Sequence, residues 1–103
     1  MKNPLLIKLS PAARDDLLDI WTYSEKEWGA SRADEYLDDL RDRILWLTAN
    51  KNLWNQRDDL CNGLFSTIQQ SHVIYFRGNT GSSNPAIEII RILHQRMDAG
   101  RHV

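Results

Sequence analysis

The sequence predicts an α+β domain, a helical hairpin packed on a small antiparallel sheet, with elements in the order β-α-α-β-β-β. Three observations carry this. Between residues 10 and 49 the apolar positions recur every three to four residues, the helical period. From residue 65 the chain turns to β-branched and aromatic runs, "FSTIQQ", "SHVIYFRG" and "AIEIIRIL". A lone Gly29 divides the helical half in two. The 103 residues suffice for one domain with one modest core, spanning 1–103.

The elements follow in order. "PLLIKL" (4–9) reads as a short strand. "SPAARDD" then opens a helix: Ser10 is a capping residue, Pro11 suits the first helical position, and Asp15 and Asp16 lie in the first two turns, where the helix dipole favours negative charge. Ala13, Leu17, Ile20, Trp21, Ser24 and Trp28 share one face, which makes both tryptophans core residues. Gly29 stops this helix, and Ser31 is placed to cap the next, with Asp34 three residues on. Ala33, Tyr36, Leu37, Leu40, Ile44 and Leu47 form its apolar face, and its acidic run reads as a solvated one. Residues 50–64 lack a period and read as a long connection. Strands over 65–70 and 71–78 meet at a tight turn near Gln70 and Ser71, "GNTGSSNP" (78–85) is a loop, and 86–93 is a central strand.

Composition narrows the class. Hydrophobic residues at 42% and charged residues at 26% are ordinary for a soluble globular domain. No apolar run approaches the ~20 residues that cross a bilayer, and the N-terminus makes a poor signal peptide, so a cytoplasmic protein is expected. The lone Cys61 has no internal disulfide partner and no His or Cys at metal-ligand spacing; neither metal nor cofactor is expected. Residues 1–60 hold nine Lys/Arg against twelve Asp/Glu, a balance of −3; residues 71–103 hold four against two, +2, together with all three histidines. The C-terminal third is thus mildly basic and the helical part acidic.

Apolar residues exceed what one helical layer covers. Strict alternation puts Ile87, Ile89 and Leu93 on one face of the last strand and Ile90 and Ile92 on the other. Leu18 and Tyr23 lie off the core face of the first helix, and Leu45 and Trp46 off that of the second. Leu18, Tyr23, Leu45, Trp46, Ile90 and Ile92 are therefore candidates for a partner surface. Trp46 and Trp54 admit two readings: anchors for a partner, or local packing with the connection folded back.

The stretches "LSPAARDDLLDIWTYSEKEWG", "SHVIYF" and "IEIIRILHQRMD" resemble the ParE toxins of bacterial type II toxin–antitoxin modules, within the RelE/ParE superfamily. The resemblance covers nearly the whole chain, and its two ends are the specific parts. It implies the RelE/ParE fold and a ParD-like antitoxin whose disordered C-terminal half folds over the toxin, which would supply the missing cover. It also implies DNA gyrase as the target, poisoned by binding rather than by enzymatic action. The RelE branch instead cleaves mRNA on the ribosome. A third reading is a degenerate, non-toxic protein that keeps antitoxin binding. One departure stands out: many ParE sequences carry Arg in a "G-L-R-S" stretch, and here "GLFS" has Phe65 in that place.

The closing stretch "RILHQRMD" (91–98) gathers Arg91, His94, Arg96 and Asp98, the candidate target-binding residues. An RNase would need a base, an acid and cations on the phosphate, and this chain offers Arg77, Arg91 and His94. No Lys follows Lys51 and no Tyr follows Tyr75. The structural alternative pairs Arg91 with Glu88 or Asp98 and leaves His94 to cap the strand end.

Overall fold

The computed structural model describes residues 6–79 and 86–103. Strand β1 (Leu6–Leu9) leads into α1 (Pro11–Trp28) and α2 (Ala30–Ala49), then β2 (Asn55–Gln56), β3 (Phe65–Gln69), β4 (His72–Asn79) and β5 (Ala86–His94). The sheet order is β1-β5-β4-β3-β2. The two helices, the order of elements and the interior position of the last strand agree with the sequence reading. Two details are added: β1 runs parallel to β5, so the sheet is mixed, and the two-residue β2 pairs with β3 from within the long connection. Pro4 and Leu5, and most of the 78–85 loop, lie outside the described residues.

The helix start is the expected one: Ser10 Oγ accepts from the Ala13 amide at 3.0 Å, with Pro11 at the first helical position. Ser31 does not cap α2. The inter-helix turn is one residue long: Gly29, at φ 92°, donates to the Glu25 carbonyl and accepts from the Ala33 amide. Nothing is left between the helices for a separate cap, so Ser31 falls inside α2. Trp28 is not core. Its turn ends the helix beyond the core contacts, and it is 57% exposed. Trp21 is half-buried, its indole N–H donating to Asp34 across the hairpin.

The helices bury one face of the sheet. Ala13 and Ile20 of α1 and Leu40, Ile44 and Leu47 of α2 pack on Ile74, Phe76, Ile87, Ile89 and Ile92. Strict alternation fails on β5. Tyr75 pairs with Arg91 but Phe76 with Ile89, so Ile90 is one extra residue, a β-bulge. The phase of every later side chain is reversed. Ile92 joins the helix-side core at 2% exposure, and Leu93 turns to the opposite face.

That opposite face is not bare, as the sequence reading expected. Leu60, Cys61 and Leu64 from the connection, and Ala99 and Val103 from the C-terminus, cover Val73, Tyr75, Ile90 and Leu93. The chain supplies this cover itself. Trp54 is local packing: its indole N–H donates to the Leu47 carbonyl, and its ring meets Phe65 and Phe76 edge-on. Gly78 is required there, because a Cβ would run into the Trp54 ring. Phe65 stacks on Phe76, so the residue standing in the Arg position serves this aromatic cluster. Trp46 is half-buried against the core with the Arg43 guanidinium 4.1 Å above its ring.

Candidate functional site

The closing stretch starts where the sheet loses a strand. β1 ends opposite Ile89, so the edge of β5 beyond it lacks a partner. The start of α1 fills the gap. Ser10 donates from its amide to the Ile89 carbonyl (2.9 Å) and from Oγ to the Ile90 carbonyl (2.7 Å). Asp16 Oδ2 accepts from the Ile92 amide at 2.9 Å. Backbone groups that a neighbouring strand would satisfy are thus met by side chains.

Asp16 also binds Arg91 through both oxygens, each bond 2.8 Å, with the two side chains only 10% and 21% exposed. These bonds, more than the proximity of charge, hold the Arg91 guanidinium even more firmly protonated than usual, against the opposing effect of burial. A further Arg91 N–H reaches the His102 carbonyl. The partner of Arg91 is therefore Asp16, not Glu88 or Asp98, and Arg91 is a structural clamp. Sequence reasoning missed Asp16 because 75 positions separate the two and the acid looked like ordinary first-turn charge.

Beyond β5 the stretch turns to the surface. Arg96 is exposed, and its amide donates to His94 Nδ1 at 3.1 Å. Exposed Asp98 caps the last 3-10 turn (Ala99–Arg101), accepting from the Gly100 amide. Arg77 lies elsewhere. It pairs in register with Glu88, roughly 20 Å along β5 from His94, and donates to Cys61 Sγ. Arg77, Arg91 and His94 do not converge on one point.

His94 instead meets a residue that was not singled out, His72, its cross-strand partner at 5.5 Å between ring centroids. His72 Nδ1 is hydrogen-bonded to the Tyr36 hydroxyl. Burial, reinforced by His94 and only partly offset by Asp16, pushes the His72 pKa down to about 4. Burial raises the Tyr36 pKa, against hydrogen bonds from Ser71. Only the strand register, which bulge and loop conceal in sequence, brings the histidines together. Both line a groove of about 540 Å³ between α1 and the ends of β4 and β5, which also includes Asp19, Tyr23, Trp28 and Met97.

Of the candidate partner surface, Tyr23 lines this groove, while Leu18 and Leu45 are exposed but not among its lining residues. Trp46 and Ile90 are half-buried, and Ile92, which borders the groove, is only 2% exposed because the bulge turns it under the helices. Among the described residues no three His, Cys, Asp or Glu side chains cluster as metal ligands, and no helix is long and apolar enough to cross a membrane.

Comparison with known proteins gives consistent matches. A family model described as the ParE toxin of the type II toxin–antitoxin system parDE matches residues 7–99. The chain is 35% identical to Toxin ParE1 of Caulobacter vibrioides, over 93% of this chain and 95% of that one. It is also 35% identical to Toxin ParE1 of Mycobacterium tuberculosis, over 92% and 94%. Among solved structures, the chromosomal ParDE toxin–antitoxin system from P. aeruginosa superposes with a TM-score of 0.70 at 19% identity, over 88% of this chain and 96% of the other.

Proposed function

The chain belongs to the ParE toxin family of type II toxin–antitoxin systems, and from that premise we propose that it poisons DNA gyrase in the cytoplasm and is neutralised by a ParD-like antitoxin. The toxic contact is made by Arg96, with His94 and Asp98 beside it. The observation that carries this reading is the division of the closing stretch: Arg91 is consumed by Asp16, while Arg96 is exposed on the turn that follows β5. An exposed guanidinium without an internal acid among the described residues is available for charge-assisted, bidentate contacts. A binder needs no assembled acid–base pair, and the separation of Arg77 from His94 favours binding over RNA cleavage.

The test is supercoiling by purified gyrase. The wild-type chain should inhibit it. Arg96→Ala should lose inhibition by roughly thirtyfold or more, the loss of one central interface contact, with the melting temperature unchanged. Cleavage of translated mRNA with supercoiling untouched would replace this reading by the endonuclease one. Antitoxin binding without either activity would leave the degenerate, non-toxic one.

A further inference from the structure

His72 and His94 stand directly opposite each other on antiparallel β4 and β5. Two imidazoles that share one metal ion, each nitrogen about 2.0–2.1 Å from it, have ring centres on the order of 5–6 Å apart. The ring centroids of His72 and His94 are 5.5 Å apart, at an interplanar angle of 79°. Neighbouring strands set this spacing, so no loop has to fold to form the pair. Both rings are half-buried and border a groove of about 540 Å³, through which an ion reaches them from solvent.

The surroundings suit ligation. His72 Nδ1 is hydrogen-bonded to the Tyr36 hydroxyl. A ligating histidine characteristically gives its second ring N–H to such a partner, which fixes the ring and presents Nε2. His94 Nδ1 accepts from the Arg96 amide. A metal on Nε2 needs the ring proton on Nδ1 and so ends that bond, a single exposed bond exchanged for one from nitrogen to metal.

The third side chain that fits is Met97. Its amide donates to the His94 carbonyl at 2.9 Å, a turn that folds the residue back toward the histidines. Its side chain is 43% exposed and lines the same groove. Among the described residues no carboxylate, thiol or third imidazole joins the pair as a ligand set. Imidazoles with a soft, polarisable thioether suit copper, above all Cu(I), whereas zinc and hard cations gain little from the sulfur.

We infer that His72, His94 and Met97 form a copper site, holding Cu(I) through Nε2 of each histidine and the Met97 sulfur. The site does not depend on gyrase being the target.

The experiment is an anaerobic titration of the full chain with Cu(I), in competition with a coloured Cu(I) chelator. Long-range ¹H–¹⁵N spectra of the imidazoles read which nitrogens bind. One equivalent should bind, and the Nε2 signals of His72 and His94 should move while those of His102 stay in place. His94→Gln should weaken binding by at least roughly tenfold, which loss of a mere outer partner of a metal site already costs. Met97→Leu, at an exposed position, should weaken Cu(I) by a similar factor and leave Zn²⁺ affinity unchanged. Cys61→Ser, on the opposite face of the sheet, should bind Cu(I) as the wild type does. Melting temperatures confirm that each variant is folded. The inference is overturned if the wild type binds Cu(I) no more tightly than the double variant His72→Gln and His94→Gln, or if Cys61→Ser abolishes binding. Wild-type affinity in folded His94→Gln or Met97→Leu would overturn it too, and equal losses of Cu(I) and Zn²⁺ in Met97→Leu would overturn the choice of copper.

Discussion

The two faces of the sheet are buried by different means. On one, residues of two regular helices close over Ile74, Phe76, Ile87 and Ile89, all at 0% exposure. On the other, a loop and a short 3-10 turn cover Val73, Tyr75 and Leu93. A helix brings its own backbone hydrogen bonds, so its apolar face arrives already ordered. The second cover holds shape only while the sheet is present. The faces therefore differ in depth, and also in what their loss should do. The first carries global stability, and the second carries local order near the closing stretch.

Substitutions test that difference. The largest effect is expected on the helix side. Phe76→Ala removes a wholly buried ring and should cost about 3–5 kcal/mol, seen as a lower urea midpoint with an unchanged slope. A loss below about 1 kcal/mol would show that the helices are not the main support.

Next comes the clamp joining α1 to the edge of β5. Asp16→Ala leaves the Arg91 guanidinium and the Ile92 amide without their acceptor and should cost about 2–4 kcal/mol. Asp16→Asn keeps one acceptor for the amide and should cost about half as much. Equal losses from the two would mean that charge, not the amide bond, dominates.

On the second face, Leu64→Ala should cost about 2 kcal/mol and act locally. Hydrogen exchange should quicken over 60–64 and 99–103 while amides of α1 and α2 stay protected. Uniform loss of protection would show the two faces to be one cooperative unit.

The smallest effect is a pH dependence. His72 has a folded pKa of about 4 against an ordinary 6.5, so the unfolded chain binds the proton more readily. Its contribution to stability should be constant above about 6.5, fall as the pH drops toward 4, and level off below. Partial exposure of the ring keeps the effect modest. Melting temperatures taken across that window should show a shallower decline for His72→Gln than for the wild type; parallel curves would assign the decline to other groups.

Where local chemistry decides, the sequence was read directly. Ser10 and Pro11 begin α1 because capping involves neighbours, and Gly29 ends it because the chain there needs a positive φ. Where a distant contact decides, the reading failed or stayed silent. Trp28 fits the helical period, yet period describes a face and not how far its cover extends. Ile92 and Leu93 exchanged faces because the bulge at Ile90 involves a partner strand. His72 was overlooked because its neighbour, His94, is 22 positions away.

Of this protein, the sequence by itself determined the class, the order of elements, both helices and the likeness to ParE toxins. Each rests on signals within a few residues or on the pattern of the whole chain. Tertiary structure alone decided that Asp16 claims Arg91, that the chain covers its own second face, and that Asp19, Tyr23, His72 and His94 border one groove. These are juxtapositions of segments remote in sequence. They are set by strand register and one extra residue in β5, neither of which leaves a local mark in the chain.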